Sequence, residues 1–153
     1  MNRREQIKLT AAERADFVER QRVVICATNG VDGWPHLMPL WYVVREDQIW
    51  AWTYAKSQKV RNLERDPRAT LQIEDGDTYD QLRGVMIEAQ TALHREYEVV
   101  AALGAQLLAR YAGGEVTAEI EAAVAAQAAK RVALQFVARR TTSWDHSKLA
   151  GTY

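Results

Sequence analysis

At 153 residues, with 48% apolar side chains, the chain is long enough for one compact domain with a core of its own. Its 20 Lys and Arg balance 20 Asp and Glu, and zero net charge argues against a nucleic-acid or anionic-membrane surface, which needs a basic excess. Cys26 is the single cysteine, which excludes an intrachain disulfide and fits a reducing cytoplasm, and no run approaches the roughly 18–20 apolar residues of a membrane span.

Met1 to Gln6 lacks the apolar continuation of a signal peptide, so a soluble cytoplasmic protein is expected. Thr10-Ala11-Ala12-Glu13 is a capping box, and Phe17 and Val18 give the helix it opens an apolar face that closes one end of a sheet or barrel. Val23 to Thr28 is a β-rich run; the turn cluster Asn29 to Gly33 leads it into a second, His36 to Val44. In Gln48 to Thr53, alternation sets Trp50 and Trp52 on one face and Ile49, Ala51 and Thr53 on the other.

The next helix carries the unusual chemistry. Ser57 is an N-cap, Val60 and Leu63 form an apolar stripe, and Asp66-Pro67 is a stop. Lys56, Lys59 and Arg61 crowd its start, where the unpaired N–H groups and the helix dipole favour carboxylates. Two readings stay open. Either the cations form a solvated face balanced by Glu64, or a phosphate sits among them, accepting from the N–H groups, Ser57 and Lys59 together.

Arg68 to Glu74 and Gly84 to Ala92 read as a fourth and a fifth strand, joined by the polar Asp75 to Asp80. Helices follow over 96–111 and 118–130, the second with Thr117 as cap, Glu119 and Glu121 in its first turn and Lys130-Arg131 at its end. That is the charge order a helix dipole prefers, so the chain arranges its charges conventionally elsewhere. Arg131 to Arg139 is a sixth strand. With no repeat or composition break, a single domain over residues 1–153 is expected, mainly β with helices: six short, mostly hairpin-linked strands closing into an antiparallel barrel.

Gly33-Trp34-Pro35, Pro39-Leu40-Trp41-Tyr42, Trp52-Thr53, Lys56 to Leu63 and Asp66-Pro67-Arg68 together resemble the flavin-binding split-barrel superfamily of pyridoxamine 5′-phosphate oxidase. Tyr79 to Val85 and Ser143 to Leu149 are similar to one branch, the actinobacterial deazaflavin-dependent oxidoreductases of the B type, which use coenzyme F(420) where the oxidase uses FMN. The resemblance implies a homodimeric six-stranded split β-barrel with two cofactor sites at the subunit interface. It places phosphate binding on Thr53, Ser57, Gln58 and Lys59, with Gln58 standing where the oxidase has arginine and Lys56 and Arg61 as compensating cations. The strand beneath the ring matches Met38 to Val43, so Met38, Pro39, Leu40 and Trp41 are expected to floor a planar tricycle, with methionine at the oxidase's arginine position.

The implied activity is hydride transfer between the deazaflavin, alternatively FMN, and a small unsaturated or quinone-like molecule. A non-catalytic flavin- or deazaflavin-binding protein has the same motifs. Because such a cofactor carries the chemistry, no catalytic side chain is assigned. His36, His94 and His146 lack ligand spacing, so no metal is expected. Ser143, Asp145, His146 and Ser147 are too close in sequence to form a triad, Trp144 is a candidate to pack over the cofactor, and Cys26 reads as a small buried hydrophobe.

Overall fold

A computed structural model describes residues 2–151. Seven antiparallel strands form one sheet in the order β2-β1-β5-β6-β7-β4-β3. They are β1 (Val24–Asn29), β2 (Pro35–Leu40), β3 (Val43–Arg45), β4 (Gln48–Tyr54), β5 (Arg68–Asp75), β6 (Arg83–His94) and β7 (Arg131–Asp145). The helices are α1 (Arg3–Gln6), α2 (Ala11–Arg20), α3 (Gln58–Arg65), α4 (Tyr97–Tyr111) and α5 (Ala118–Gln127), with α1 the one that the sequence reading did not anticipate.

The expected count of six strands is corrected to seven because the run from His36 to Val44 breaks at Trp41-Tyr42. β2 pairs with β1 at one edge of the sheet, β3 pairs with β4 at the other, and the two-residue link carries the chain across the split. The cause lies at the far end of α4. The Tyr42 N–H donates to the Tyr111 hydroxyl at 3.2 Å, and the Tyr42 carbonyl accepts from Arg110, so that peptide is withdrawn from the sheet. The result is a sheet rolled into a half-barrel whose two edges are joined covalently rather than by a hydrogen-bond ladder, a split barrel.

Two apolar clusters flank the sheet. The barrel interior holds Val24, Cys26, Tyr42, Leu71, Ile73, Leu134 and Phe136, with Phe17 of α2 and Val60 and Leu63 of α3 packed into it. α2 precedes β1 and α3 follows β4 into β5, so the two helices plug opposite ends. On the outside, Val43, Trp52 and Ala133 meet Val100, Leu103 and Leu107 of α4 and Val124 of α5. The alternation along β4 is as its sequence requires: Ile49 and Ala51 join the interior, Trp50 and Trp52 the outer cluster. Gly104 permits that close approach, since a Cβ there would lie 2.3 Å from Trp52 Cζ3.

β7 runs six residues past its expected end at Arg139 and pairs with β6 as far as Arg83 opposite Asp145, with a bulge at Glu88/Ala89. Among the described residues no helix is long and apolar enough to cross a membrane.

Candidate functional site

The start of α3 is the place where local sequence and local physics disagree most. The Ser57 hydroxyl accepts from the Val60 N–H at 3.4 Å, and helix geometry leaves the preceding amides of Gln58 and Lys59 without intrahelical acceptors. α2, α4 and α5 each carry a glutamate in the first turn, whereas α3 has no acidic residue there. That turn instead holds Lys59, with Lys56 just before it and Arg61 just after.

Lys59 is 5% exposed. Its ammonium donates to Thr53 Oγ1 at 3.2 Å, and among the described residues no carboxylate lies within ion-pair distance of it. Burial pulls its pKa below the ordinary lysine value, while the neighbouring Cys26 thiol acts weakly the other way. A buried cation without a counter-ion is costly unless a partner arrives. Thr53 is the last but one residue of β4 and Lys59 the second residue of α3, so the two donors converge where the strand hands over to the helix.

Cys26 is fully buried, and burial pushes its thiol up to about 12. Native protein at pH 8 is therefore expected to react with a thiol reagent only as fast as it opens, and denaturant to expose one thiol per chain. Rapid native labelling would show that the α3–β1 contact opens readily.

A polar network that sequence reasoning did not single out fixes α3 in place. Asn62, fully buried, donates to Thr28 Oγ1 at 3.1 Å, and its own Oδ1 accepts from Gln58 Nε2 at 2.9 Å and from Arg65. Lys59, Val60, Asn62 and Leu63 form one buried helical stripe that includes two polar residues, and partners on β1 and β4, distant in the sequence, set that burial. Gln58, expected to face the phosphate, is exposed and directs its side-chain amide to Asn62; Lys56 and Arg61 are exposed without ion pairs among the described residues.

Register places the β2 residues. Met38 stands opposite Cys26 and Leu40 opposite Val24, on the α3 side of the sheet, while Pro39 stands opposite Ile25 on the other face. His36 stands opposite Thr28, and its Nδ1 is buried without a hydrogen-bond partner. Trp41 lies beyond the strand, its ring stacked on Tyr111 at 4.1 Å. The structure thus gathers Thr53, Ser57 and Lys59 at one point with Met38 alongside, and puts Pro39 and Trp41 elsewhere. Trp144 covers Gly84 at the opposite end of β6.

The chemistry of this set fits a phosphate-bearing group: amide donors at a helix start, an uncompensated buried ammonium, a hydroxyl and an orphaned ring nitrogen. Among the described residues, no group of three or more His, Cys, Asp or Glu side chains is gathered to hold a metal ion.

The chain is 45% identical to the conserved hypothetical protein Rv2991 from Mycobacterium tuberculosis, whose crystal structure superposes with a TM-score of 0.90 over 100% of this chain and 95% of that one. It shares its fold at 21% identity with a structure named F420 reductase (TM-score 0.64, 82% of this chain and 93% of that one). The FAD-binding protein from Mycobacterium smegmatis shares it at 17% identity (TM-score 0.59, 88% and 95%). No curated protein matches the chain. Residues 10–145 match the family described as pyridoxamine 5′-phosphate oxidase, and with that match over most of its length the chain belongs to this family and to the flavin-binding split barrels.

Proposed function

We propose that this protein is a homodimeric oxidoreductase that binds a deazaflavin, coenzyme F(420), at the start of α3 and serves hydride transfer to a small unsaturated or quinone-like acceptor. The observation that carries the reading is Lys59, a buried cation with a hydroxyl for company and no carboxylate. Lys59, Ser57 and the first amides of α3 hold the phosphate, and Thr53 shares it with Lys59. Met38 and the adjoining β2 backbone flank the ring, and the His36 Nδ1 supplies a polar contact from the same face. Lys56 and Arg61 point outward, where an acidic extension of the cofactor would need counter-charge; FMN, with one phosphate and no acidic tail, leaves them unused. When bound, the cofactor supplies the redox chemistry, and the chain supplies orientation and exclusion of water.

A second copy is part of the proposal. β2 is exposed along both faces, with Leu37 at 56% and Met38 at 44%, an apolar edge that a lone chain would leave to water. Pro35 and Pro39 interrupt its N–H groups, so the partner packs on its face rather than extending the sheet.

Titration of the purified protein with coenzyme F(420) and, separately, FMN, followed by cofactor fluorescence, tests the reading. Saturation by coenzyme F(420) at about micromolar concentration, with weaker binding of FMN, is expected. No change with either cofactor at tenfold higher concentration would exclude it. Reduced cofactor that stays reduced with every quinone and enone offered would leave a binding protein rather than an enzyme.

A further inference from the structure

We propose that a second site, at the end of the barrel that α2 closes, binds a lipophilic amine in its ammonium form. This goes beyond the cofactor reading and shares no residue with it, since α3 and Lys59 sit at the opposite end. The cleft measures about 680 Å³, the scale of a small-molecule pocket. Strand register creates it. β4 pairs with β7 from Tyr54 opposite Arg131 to Ile49 opposite Phe136, and there the β4 ladder stops. β7 continues to Asp145 with β6 alone at its side, so past Phe136 its other edge is left open beside the β3–β4 turn.

α2 covers that opening incompletely. The residues it turns to the cleft, Ala11, Arg14, Ala15 and Val18, recur at helical spacing, and two of them are alanines that stay exposed. Phe17 is its one fully buried side chain. Below lie Ile49, Leu71, Val85 and Phe136, all buried in the barrel core, with Val44 and Ile87 half-buried at the sides. A floor and walls of this kind take an apolar body, which gains with each methylene it removes from water.

The charges at the mouth select the other end of the ligand. Asp16, Glu19 and Asp47 line it, and Arg14 is the one cation among the lining residues. Asp16 is paired with Arg20 at 2.9 Å, and Arg14 donates to the Leu9 carbonyl at 3.2 Å, back toward the start of α2. Glu19 and Asp47 have no cation within ion-pair distance among the described residues. One comes from the last turn of α2 and the other from the β3–β4 turn, where Asp47 holds a φ of 61°, so two separate elements bring unpaired carboxylates to one mouth. Glu19 stands about 7.5 Å along the helix from Arg14. An ammonium at that end gains two carboxylate partners, whereas an alkyl carboxylate would meet Arg14 alone and be repelled by the acids around it.

The test is calorimetric titration of the full chain with three probes of one chain length: nonylammonium, nonanoate and 1-nonanol. Saturable binding of one nonylammonium per chain is expected, with 1-nonanol about tenfold weaker and nonanoate weaker still. Glu19→Gln combined with Asp47→Asn should weaken nonylammonium about tenfold and leave 1-nonanol unchanged. Both positions are exposed, and asparagine tolerates the positive φ. Ala15→Phe fills the cleft and should weaken all three probes. Saturating coenzyme F(420) should leave nonylammonium binding as it was. Nonanoate binding as tightly as nonylammonium, an unaltered nonylammonium affinity in either variant, or no saturable binding would each overturn the proposal. So would displacement by coenzyme F(420), which would put the amine at the cofactor site instead.

Discussion

Replacing Lys59 with methionine is expected to do two things of opposite sign: weaken binding of a phosphate-bearing cofactor about 100-fold and raise the melting temperature of the ligand-free chain. The first follows from losing a charge-assisted hydrogen bond, worth about 1.5–3 kcal/mol, at a buried point. The second follows from the same burial. An ammonium that is 5% exposed, with Thr53 Oγ1 at 3.2 Å as its acceptor, has lost most of its hydration and regained little. Methionine keeps the length and apolar stem without the charge, so a gain of about 1–3 kcal/mol, or roughly 2–4 °C for each kcal/mol, is expected. The pH dependence gives a further check. Burial lowers the Lys59 pKa in the folded chain, so between that value and about 10.4 the unfolded chain holds a proton that the folded chain does not. The destabilisation is therefore complete below the folded pKa and disappears as pH rises through the window. The stability gap between variant and wild type should narrow accordingly in alkaline denaturant titrations. A variant with lower melting temperature and unchanged cofactor affinity would make Lys59 a structural residue and remove the basis of the site.

The same residue marks the boundary of what the sequence made legible. Local signals were sufficient where the physics is local. The Thr10–Glu13 capping box forms with both of its hydrogen bonds, Ser57 and Thr117 cap their helices, and alternation along β4 sorts Trp50 and Trp52 from Ile49 and Ala51. The cation excess at α3 was also readable, because a dipole argument needs the helix and its first turn alone. What escaped depends on partners distant in the chain. Lys59 and Asn62 are buried because β1 and β4 bring Cys26, Thr28 and Thr53 against α3, and no spacing within the helix encodes that. Gln58 occupies an arginine's position in the family, yet its side-chain amide donates to Asn62, one turn along. The last residues of β7, Arg140 to Asp145, are polar apart from Trp144 and carry no alternation; they are strand because β6 offers a ladder to pair with. The break at Trp41-Tyr42 is the clearest case, since an unbroken β-rich run is divided by two side chains from the end of α4.

Those side chains carry the other large expected effect. Arg110→Met should cost about 3–4 kcal/mol and lower the melting temperature by about 6–16 °C. The guanidinium donates to the carbonyls of Tyr42, Glu19 and Gln21, while the Tyr42 hydroxyl donates to Val18 and Gln21 and the Tyr111 hydroxyl to Arg22. Val18 and Glu19 belong to the last turn of α2, whose carbonyls have no acceptor role left inside the helix, so α4 caps α2 from across the fold. Its Cζ also stands 4.7 Å from the Tyr42 ring centroid, within cation–π range. Methionine retains the stem and leaves three carbonyls without this donor, in a place where Tyr42 is fully buried. Arg110→Lys is expected to recover less than half of the loss, because one ammonium cannot span acceptors on α2 and on the β2–β3 link together. Tyr42→Phe removes one hydroxyl and should cost about 1–2 kcal/mol. The double variant should lose less than the sum, since both side chains serve the Gln21 carbonyl. Strict additivity in that cycle would mean that the two act separately and that the strand break is set by Tyr111 alone.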